Sequence, residues 1–254
     1  MAWTRRYDET EPQRVNRWLA QNGVCSRREA EALIEQGLVS IDGERVEDAG
    51  RKILPGQTLV LSDGAQAPQL TVVLNKPVGV VSAHAEPQQV PAARLLTREA
   101  LVGDSPVIPE ADMSLPPLGR LDMDSRGLLI LSEDGVLAKA IIGPESDLEK
   151  EYLVRVRGQV TEKKLKTLRH GLQLDRRQLR PAKVSVVQGD QLRFVLKEGR
   201  NRQIRRMCEM VQLEVTDLFR VRIGPLKLGA LPEGRWRVLT AEERAALIRP
   251  PGGT

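Results

Sequence analysis

From Arg14 onward the chain alternates between apolar positions spaced for helices and apolar positions spaced for strands. Val15, Trp18 and Leu19 recur three and four residues apart, and Gly23 stops the run. Ser26-Arg27-Arg28-Glu29 has the form of a capping box, in which the serine hydroxyl takes an amide of the first turn and the glutamate reaches back. Ala30, Leu33 and Ile34 supply the stripe of this second helix, and Gly37 its left-handed terminator. Val39-Ser40-Ile41, Asp42-Gly43 and Glu44-Arg45-Val46 read as a hairpin, because Asp-Gly is a strong two-residue turn. Pro55-Gly56 marks another turn before a strand over 58–61. These elements make a small α-α-β unit over residues 14–62. Residues 1–13 are polar and predict a flexible tail, and 63–69, with Gly64 and Pro68, predict a linker.

A second unit spans 70–248, with 249–254 as a tail. It opens on Thr71-Val72-Val73-Leu74, an apolar run suited to a buried strand. Residues 84–117 lack periodicity and are rich in proline, which predicts a long excursion, mobile at its tip, with one short helix near 93–101. Strands follow at 128–131 and at the alternating Tyr152, Val154 and Val156. Thr161–His170 is helical, stopped by Gly171, and 184–187 and 192–196 form a hairpin around Gln188-Gly189-Asp190. A helix over 201–211, strands near 218–223 and 236–239, and a short helix capped at Thr240 complete the chain. Helices and strands mix without regular βαβ alternation, so the expected class is α+β.

With 41% apolar and 29% charged residues, the chain is globular in composition, which excludes collagen, a disulfide scaffold and a wholly disordered chain. No apolar run is long enough for a membrane span and the first ten residues lack the core of a secretory signal, so the expected location is cytoplasmic. Cys25 and Cys208 stand far apart with no ligand-spaced partner, which argues for buried small side chains and against zinc. The net charge of +5 is compatible with a nucleic-acid partner. P-loop, GxGxxG and GxSxG motifs are absent.

Charge placement carries more information than its total. On the helix over 201–211, Ile204, Met207, Cys208 and Val211 share one face; Arg202, Arg205, Arg206 and Glu209 share the other, with Arg200 just before it. Cations in the first turns oppose the helix dipole, at about 0.3–1 kcal/mol each. Either a carboxylate of the protein or phosphates of a ligand must want them there; the bland alternative is a solvated basic face. Asp122 and Asp124 offer a carboxylate pair of the kind used in acid–base chemistry. An Asx-type turn accounts for Asp124-Ser125, which leaves the chemistry to Asp122. Tyr152 is one of two tyrosines, and is a stacking platform or a core side chain. In the first unit Arg14, Arg17, Arg27 and Arg28 gather on the first helix and the start of the second, where free amides also favour phosphate.

The segments Cys25-Ser26-Arg27-Arg28-Glu29-Ala30 and Ile34–Val39 resemble an S4 RNA-binding domain. Asn75-Lys76-Pro77-Val78-Gly79, Gly119-Arg120-Leu121-Asp122, Glu149-Lys150-Glu151-Tyr152 and Gly199–Met207 stand in the order found in the RsuA-type pseudouridine synthases. Within that family the motifs are most similar to the large-subunit ribosomal RNA enzymes; the segment from about Glu86 to Pro117 is longer and richer in proline than in them. The resemblance implies an S4 domain before a larger catalytic domain, the latter a mixed, mainly antiparallel sheet flanked by helices. It implies isomerisation of one uridine in large-subunit (23S) ribosomal RNA, without metal, nucleotide cofactor or membrane, by a monomer acting on an RNA stem-loop. Asp122 matches the family's catalytic aspartate, Arg205 its partner arginine, and Tyr152 the platform under the uracil. Arg120 matches the residue that fills the vacated base stack. Lys76, Arg200 and Arg202 become phosphate contacts, with Asn201 and Gln203 beside them, and Arg14, Arg17, Ser26, Arg27 and Arg28 the docking surface of the S4 unit. The alternatives are the same chemistry on small-subunit RNA or tRNA, a non-catalytic S4 RNA-binding factor, and, more distantly, a glycosidase.

Overall fold

The computed structural model describes residues 3–248 apart from 23, 26, 63–69, 84, 106, 110–114 and 171. Contacts divide the chain into two units, one of Met1–Leu70 with Glu133–Lys139, the other of Thr71–Ser132 with Ala140–Thr254.

In the first unit the helical stripes fold as their spacing requires. Helix α1 (Val15–Gln21) buries Val15, Trp18 and Leu19, and α2 (Arg27–Glu35) buries Ala30, Leu33 and Ile34. The Asp42-Gly43 turn joins β3 (Val39–Ile41) to β4 (Glu44–Arg45), and both turn residues have the positive φ that this tight hairpin needs, 50° and 87°. The expected tail is different. Residues Trp3–Arg6 form β1, which pairs antiparallel with β6 (Thr58–Leu61) at the edge of a sheet ordered β1-β6-β3-β4. The physical reason is aromatic: Tyr7 is fully buried, and Trp3 and Tyr7 meet Trp18 edge-on at 5.9 and 5.5 Å between ring centres. A short pair, β2 (Gln13–Arg14) with β5 (Lys52–Ile53), closes the unit. The linker over 63–69, the tail over 249–254 and the capping role of Ser26 lie outside the described residues.

The second unit is built on an eight-stranded sheet. Its path runs β14 (Lys183–Gln188), β15 (Gln191–Leu196), β11 (Lys150–Arg157), β16 (Glu214–Ile223), β10 (Arg126–Ser132), β7 (Thr71–Lys76) and β18 (Trp236–Val238), with β17 (Leu226–Lys227) on β16. The β10–β16 pair is parallel; the remaining ladders of the sheet are antiparallel. All of β7 and nearly all of β10 is buried, as expected of strands covered on both faces. Gly127 allows the close parallel approach: at its φ of 108° a Cβ would stand 2.3 Å from the carbonyl oxygen of Arg220. One core packs β11, β14 and β15 against α4 (Glu162–Arg169) and α5 (Gln203–Met210), through Val154, Leu165, Phe194, Ile204, Met207 and Cys208 among others.

Three elements depart from expectation. The segment over 93–101 holds only a single 3-10 turn, Ala92–Leu95, because the Ala100 carbonyl and the Val102 amide bond instead to the backbone of Trp236. Helix α3 (Gly135–Ile142), apolar nearly all round, has no helical stripe to read; Asp134 caps it by accepting the amides of Val136 and Leu137. Short pairs, β8 (Val80–Val81) with β9 (Val90–Pro91) and β12 (Gln173–Leu174) with β13 (Arg177–Gln178), were invisible as patterns. Burial pushes the Cys25 and Cys208 thiols up to about 12, the state of inert core side chains. Among the described residues no helix is long and apolar enough to cross a membrane, and no His, Cys, Asp or Glu cluster is arranged to hold a metal.

Candidate active site

The site begins where β7 ends. Lys76 is fully buried, and its ammonium donates to the carbonyls of Pro77 (2.8 Å) and Val80 (2.7 Å), which folds the following loop around it. Burial lowers the Lys76 ammonium to about 8, against the pull of Asp122 and Asp124. The loop then grips a second one. The Gly79 amide donates to the Met123 carbonyl (2.8 Å), and the buried Ser82 hydroxyl both accepts from the Leu121 amide (2.9 Å) and donates to the Leu121 carbonyl (2.7 Å). Asp122 to Ser125 close a turn through a 3.0 Å amide–carbonyl bond. Asp122 is thereby fixed from both sides by backbone bonds, with its side chain one-third exposed.

Two arginines meet this turn from the start of α5. Arg202, the N-cap, lies in the left-handed region (φ 48°) and puts both guanidinium nitrogens on the Asp124 carboxylate, at 3.2 and 3.1 Å. The same guanidinium stands 3.6 Å from the Asp122 carboxylate. Arg205, buried, donates to the Asp124 carbonyl (2.7 Å) and the Val215 carbonyl (3.1 Å), and lies 3.3 Å from the Asp124 carboxylate. Burial alone would raise the Asp124 carboxyl, but the Arg202 hydrogen bonds and the two charges outweigh it and hold it below the usual range. Arg206 pairs with Asp175, and Arg200 with Glu198 and the carbonyls of Leu174 and Gln178. Carboxylates of the protein therefore explain why this helix begins on cations.

A cleft of about 470 Å³ opens beside the turn, lined by Arg120, Leu121, Asp122, Tyr152, Ile204 and Arg205 among others. This is ample for one nucleotide side group. Leu121, Tyr152 and Ile204 belong to the hydrophobic core, so the cleft floor is the surface of that core. Arg120 is exposed, and its side chain makes no ion pair or hydrogen bond among the described residues. Lys150, partly buried, and Arg220, buried, also line the cleft.

The fold thus gathers Asp122, Tyr152, Arg205, Arg120, Arg200, Asn201, Arg202 and Gln203 at one cleft. Three details differ from the sequence expectation. Arg205 pairs with Asp124, while Arg202 takes the place beside Asp122, because the turn aims the Asp124 backbone and carboxylate at α5. Lys76 is sealed from solvent, so it cannot meet a phosphate; it braces the loop that holds Asp122. Gln203 is buried, accepting from the Arg200 amide and donating to Glu198 at 3.0 Å each, which makes it a brace of the loop instead of an RNA contact. Arg14, Arg17 and Arg27 are exposed on the first unit; Ser26 and the side chain of Arg28 lie outside the described residues. Sequence reasoning missed Ser82, Lys150 and Arg220, and assigned Asp124 to a turn alone. For Arg220 a signal existed: a cation two residues after Leu218, on the face of the strand that Leu218 buries.

Residues 70–210 match the family of RNA pseudouridylate synthases, and residues 13–59 the S4 domain. The chain is 37% identical over 246 residues to an RNA pseudouridine synthase of Aquifex aeolicus (strain VF5), covering 94% of this chain and 95% of that one. It is 34% identical to the dual-specificity RNA pseudouridine synthase RluF of Escherichia coli (strain K12), with 93% and 78% covered. The ribosomal large subunit pseudouridine synthase B of Bacillus subtilis (strain 168) is 32% identical, with 91% and 93% covered. A crystal structure of a pseudouridylate synthase superposes with a TM-score of 0.62 at 27% identity, over 92% of this chain and 99% of the other. With an S4 domain ahead of a catalytic domain that holds this cleft, the chain belongs to the RNA pseudouridylate synthase family and is an isomerase of that class.

Proposed function

We propose that the chain converts one uridine of large-subunit ribosomal RNA to pseudouridine, with Asp122 as the group that acts on the sugar. The observation that carries this reading is the placement of Asp122, clamped by Ser82 and Gly79 at the mouth of an apolar-floored cleft beside Arg202. The name of the Bacillus subtilis relative, a ribosomal large subunit pseudouridine synthase, supports the choice of RNA.

The reaction breaks the N1–C1′ bond, turns the uracil and joins C5 to C1′. Product and substrate are isomers, so the chemistry consumes no co-reactant. A base stacked in an RNA helix is out of reach and must be extruded, at a cost of a few kcal/mol. Arg120, exposed and without a side-chain partner among the described residues, occupies the vacated stack, while the uracil lies over Tyr152. Asp122 acts as its carboxylate, either attacking C1′ or removing the C2′ proton to give a glycal. The Arg202 guanidinium stands 3.6 Å from that carboxylate, and its bonds to Asp124, which Arg205 also meets, keep Arg202 in place. The first unit docks a neighbouring stem-loop through Arg14, Arg17, Arg27 and Arg28, and the enzyme works as a cytoplasmic monomer without metal or cofactor.

The test is a map of pseudouridines in ribosomal RNA from cells lacking the protein, and from cells carrying Asp122→Asn. The same large-subunit site is expected to lose its modification in both. Loss confined to tRNA or small-subunit RNA would move the substrate, and modification retained in Asp122→Asn cells would remove Asp122 from the chemistry.

A further inference from the structure

Several cations that line the cleft have a carboxylate: Arg202 and Arg205 share Asp124, and Arg200 has Glu198. Arg220 and Lys150, which line it too, do not. Arg220 is 2% exposed, donates to the Leu128 carbonyl (2.7 Å) and at 3.4 Å to the Arg120 carbonyl, and leaves its second terminal nitrogen buried without a partner. Lys150 reaches only the carbonyls of Ile141 (3.3 Å) and Leu148 (3.5 Å), both long bonds. Neither makes an ion pair among the described residues, and both line the cleft. Burial lowers the Lys150 ammonium, and the nearby Arg220 charge lowers it further, so the two cations repel each other in a poorly solvated wall. Such an arrangement costs stability unless negative charge arrives there.

We propose that Arg220 and Lys150 form the leaving-group site of this enzyme, a fixed positive wall that stabilises the uracil anion released when the glycosidic bond breaks. This rests on the reading above. The C1′–N1 bond breaks with its electron pair passing to N1 and spreading over O2 and O4. After the ring turns, C5 supplies the pair for the new C1′–C5 bond, the C5 proton goes to a base, and N1 takes up a proton. Negative charge on the free ring therefore exists only between the two bond events. A cation already neutralised by a carboxylate stabilises that charge weakly; an uncompensated one stabilises it most in the water-poor end of a cleft. RNA phosphates are the other available anions, but they are strongly hydrated and belong at the rim with Arg120 and Arg180, which are exposed.

The experiment compares RNA fragments carrying uridine or 5-fluorouridine at the target, in single turnover with saturating enzyme. Fluorine makes the free ring the more stable anion, so it needs less help from the wall; because C5 then has no proton to lose, the reaction of both rings is read as loss of the N1–C1′ bond. Arg220→Gln is expected to slow rearrangement of uridine about 100-fold, the scale of one lost charge-stabilising donor, while the deficit on 5-fluorouridine shrinks to tenfold or less. RNA affinity is expected to stay within about threefold, since an interaction made only in the transition state leaves ground-state binding alone. Lys150→Gln, which gives up only long bonds, is expected to show the same substrate dependence, and it decides the matter should Arg220→Gln fail to fold. Equal deficits on the two rings overturn the proposal. A loss confined to affinity overturns it too, and reassigns the pair to phosphate. If wild-type enzyme converts neither fragment, it is the underlying reading of the substrate that has failed.

Discussion

Two groups of arginines, one in each unit, follow different rules. In the first, Arg14, Arg17 and Arg27 are exposed and have no ion pair among the described residues. In the second, Arg126, Arg202, Arg205, Arg206, Arg222 and Arg237 each sit on a carboxylate. A free surface cation attracts phosphates over a Debye length and fades with salt, whereas a paired one fixes geometry and is largely silent to salt. On the function proposed above, the free arginines of the first unit meet RNA, while Arg202 and Arg205 of the second hold the turn that carries Asp122. Each prediction below probes one side of that division.

The largest effect belongs to the carboxylate the second unit is built to hold. Asp122→Asn keeps size and backbone bonds, and is expected to cut single-turnover pseudouridine formation at least about 10,000-fold with RNA affinity unchanged. A loss shared equally with affinity would make Asp122 a binding group. Asp124→Ala comes next. It strips two guanidiniums of their common carboxylate, so turnover is expected to fall about 100-fold, because Arg202 is then free to leave Asp122. The cost in stability is smaller, about 1–2 kcal/mol by urea denaturation, since Asp124 is partly exposed. Unchanged turnover would show that Arg202 keeps its place without this anchor.

The sequence carried the local rules well and the distant ones poorly. The Asp42-Gly43 turn, the Thr240 cap, whose hydroxyl accepts the Glu243 amide at 3.2 Å, and the β14–β15 hairpin all follow from neighbours a few residues apart. Strand β1 was unreadable because its partner lies some fifty residues away and three of its four side chains are exposed. At the site, the Arg202 and Arg205 charges were visible as an anomaly against the helix dipole, but their carboxylate is 78 and 81 residues distant. Lys76 shows the same limit from the other direction. A lysine is nearly always read as exposed, and nothing in Asn75-Lys76-Pro77 announces that two carbonyls wait for a buried ammonium.

That burial has a pH signature. The Lys76 ammonium sits at about 8 in the fold against 10.5 ordinarily, so below pH 8 both folded and unfolded chains carry the proton and the fold bears the cost of the buried charge. Between about 8 and 10.5 the unfolded chain binds a proton that the native state has lost, and stability rises with pH. Relative to Lys76→Met, wild-type protein is expected to gain roughly 1–3 kcal/mol across that window in urea denaturation. Parallel pH profiles for the two proteins would mean that the ammonium is better solvated than its burial implies.

The smallest effect in energy separates the two units most directly. Arg17 and Arg27 border one shallow depression of the first unit. If both meet phosphates, Arg17→Gln with Arg27→Gln removes about two counterions from the association, lowering the slope of log affinity against log salt by about two and weakening binding roughly tenfold near physiological salt. Conversion by fully bound enzyme is expected to be unchanged, because neither residue belongs to the cleft. Arg206 supplies the contrast. It is partly exposed on α5, yet Asp175 already neutralises it at 2.7 Å. Arg206→Gln is therefore expected to leave the salt slope within about half a unit of wild type. If Arg206 shifted the slope as much as the first-unit pair, carboxylate pairing would not be what divides the arginines that find RNA from those that hold the turn.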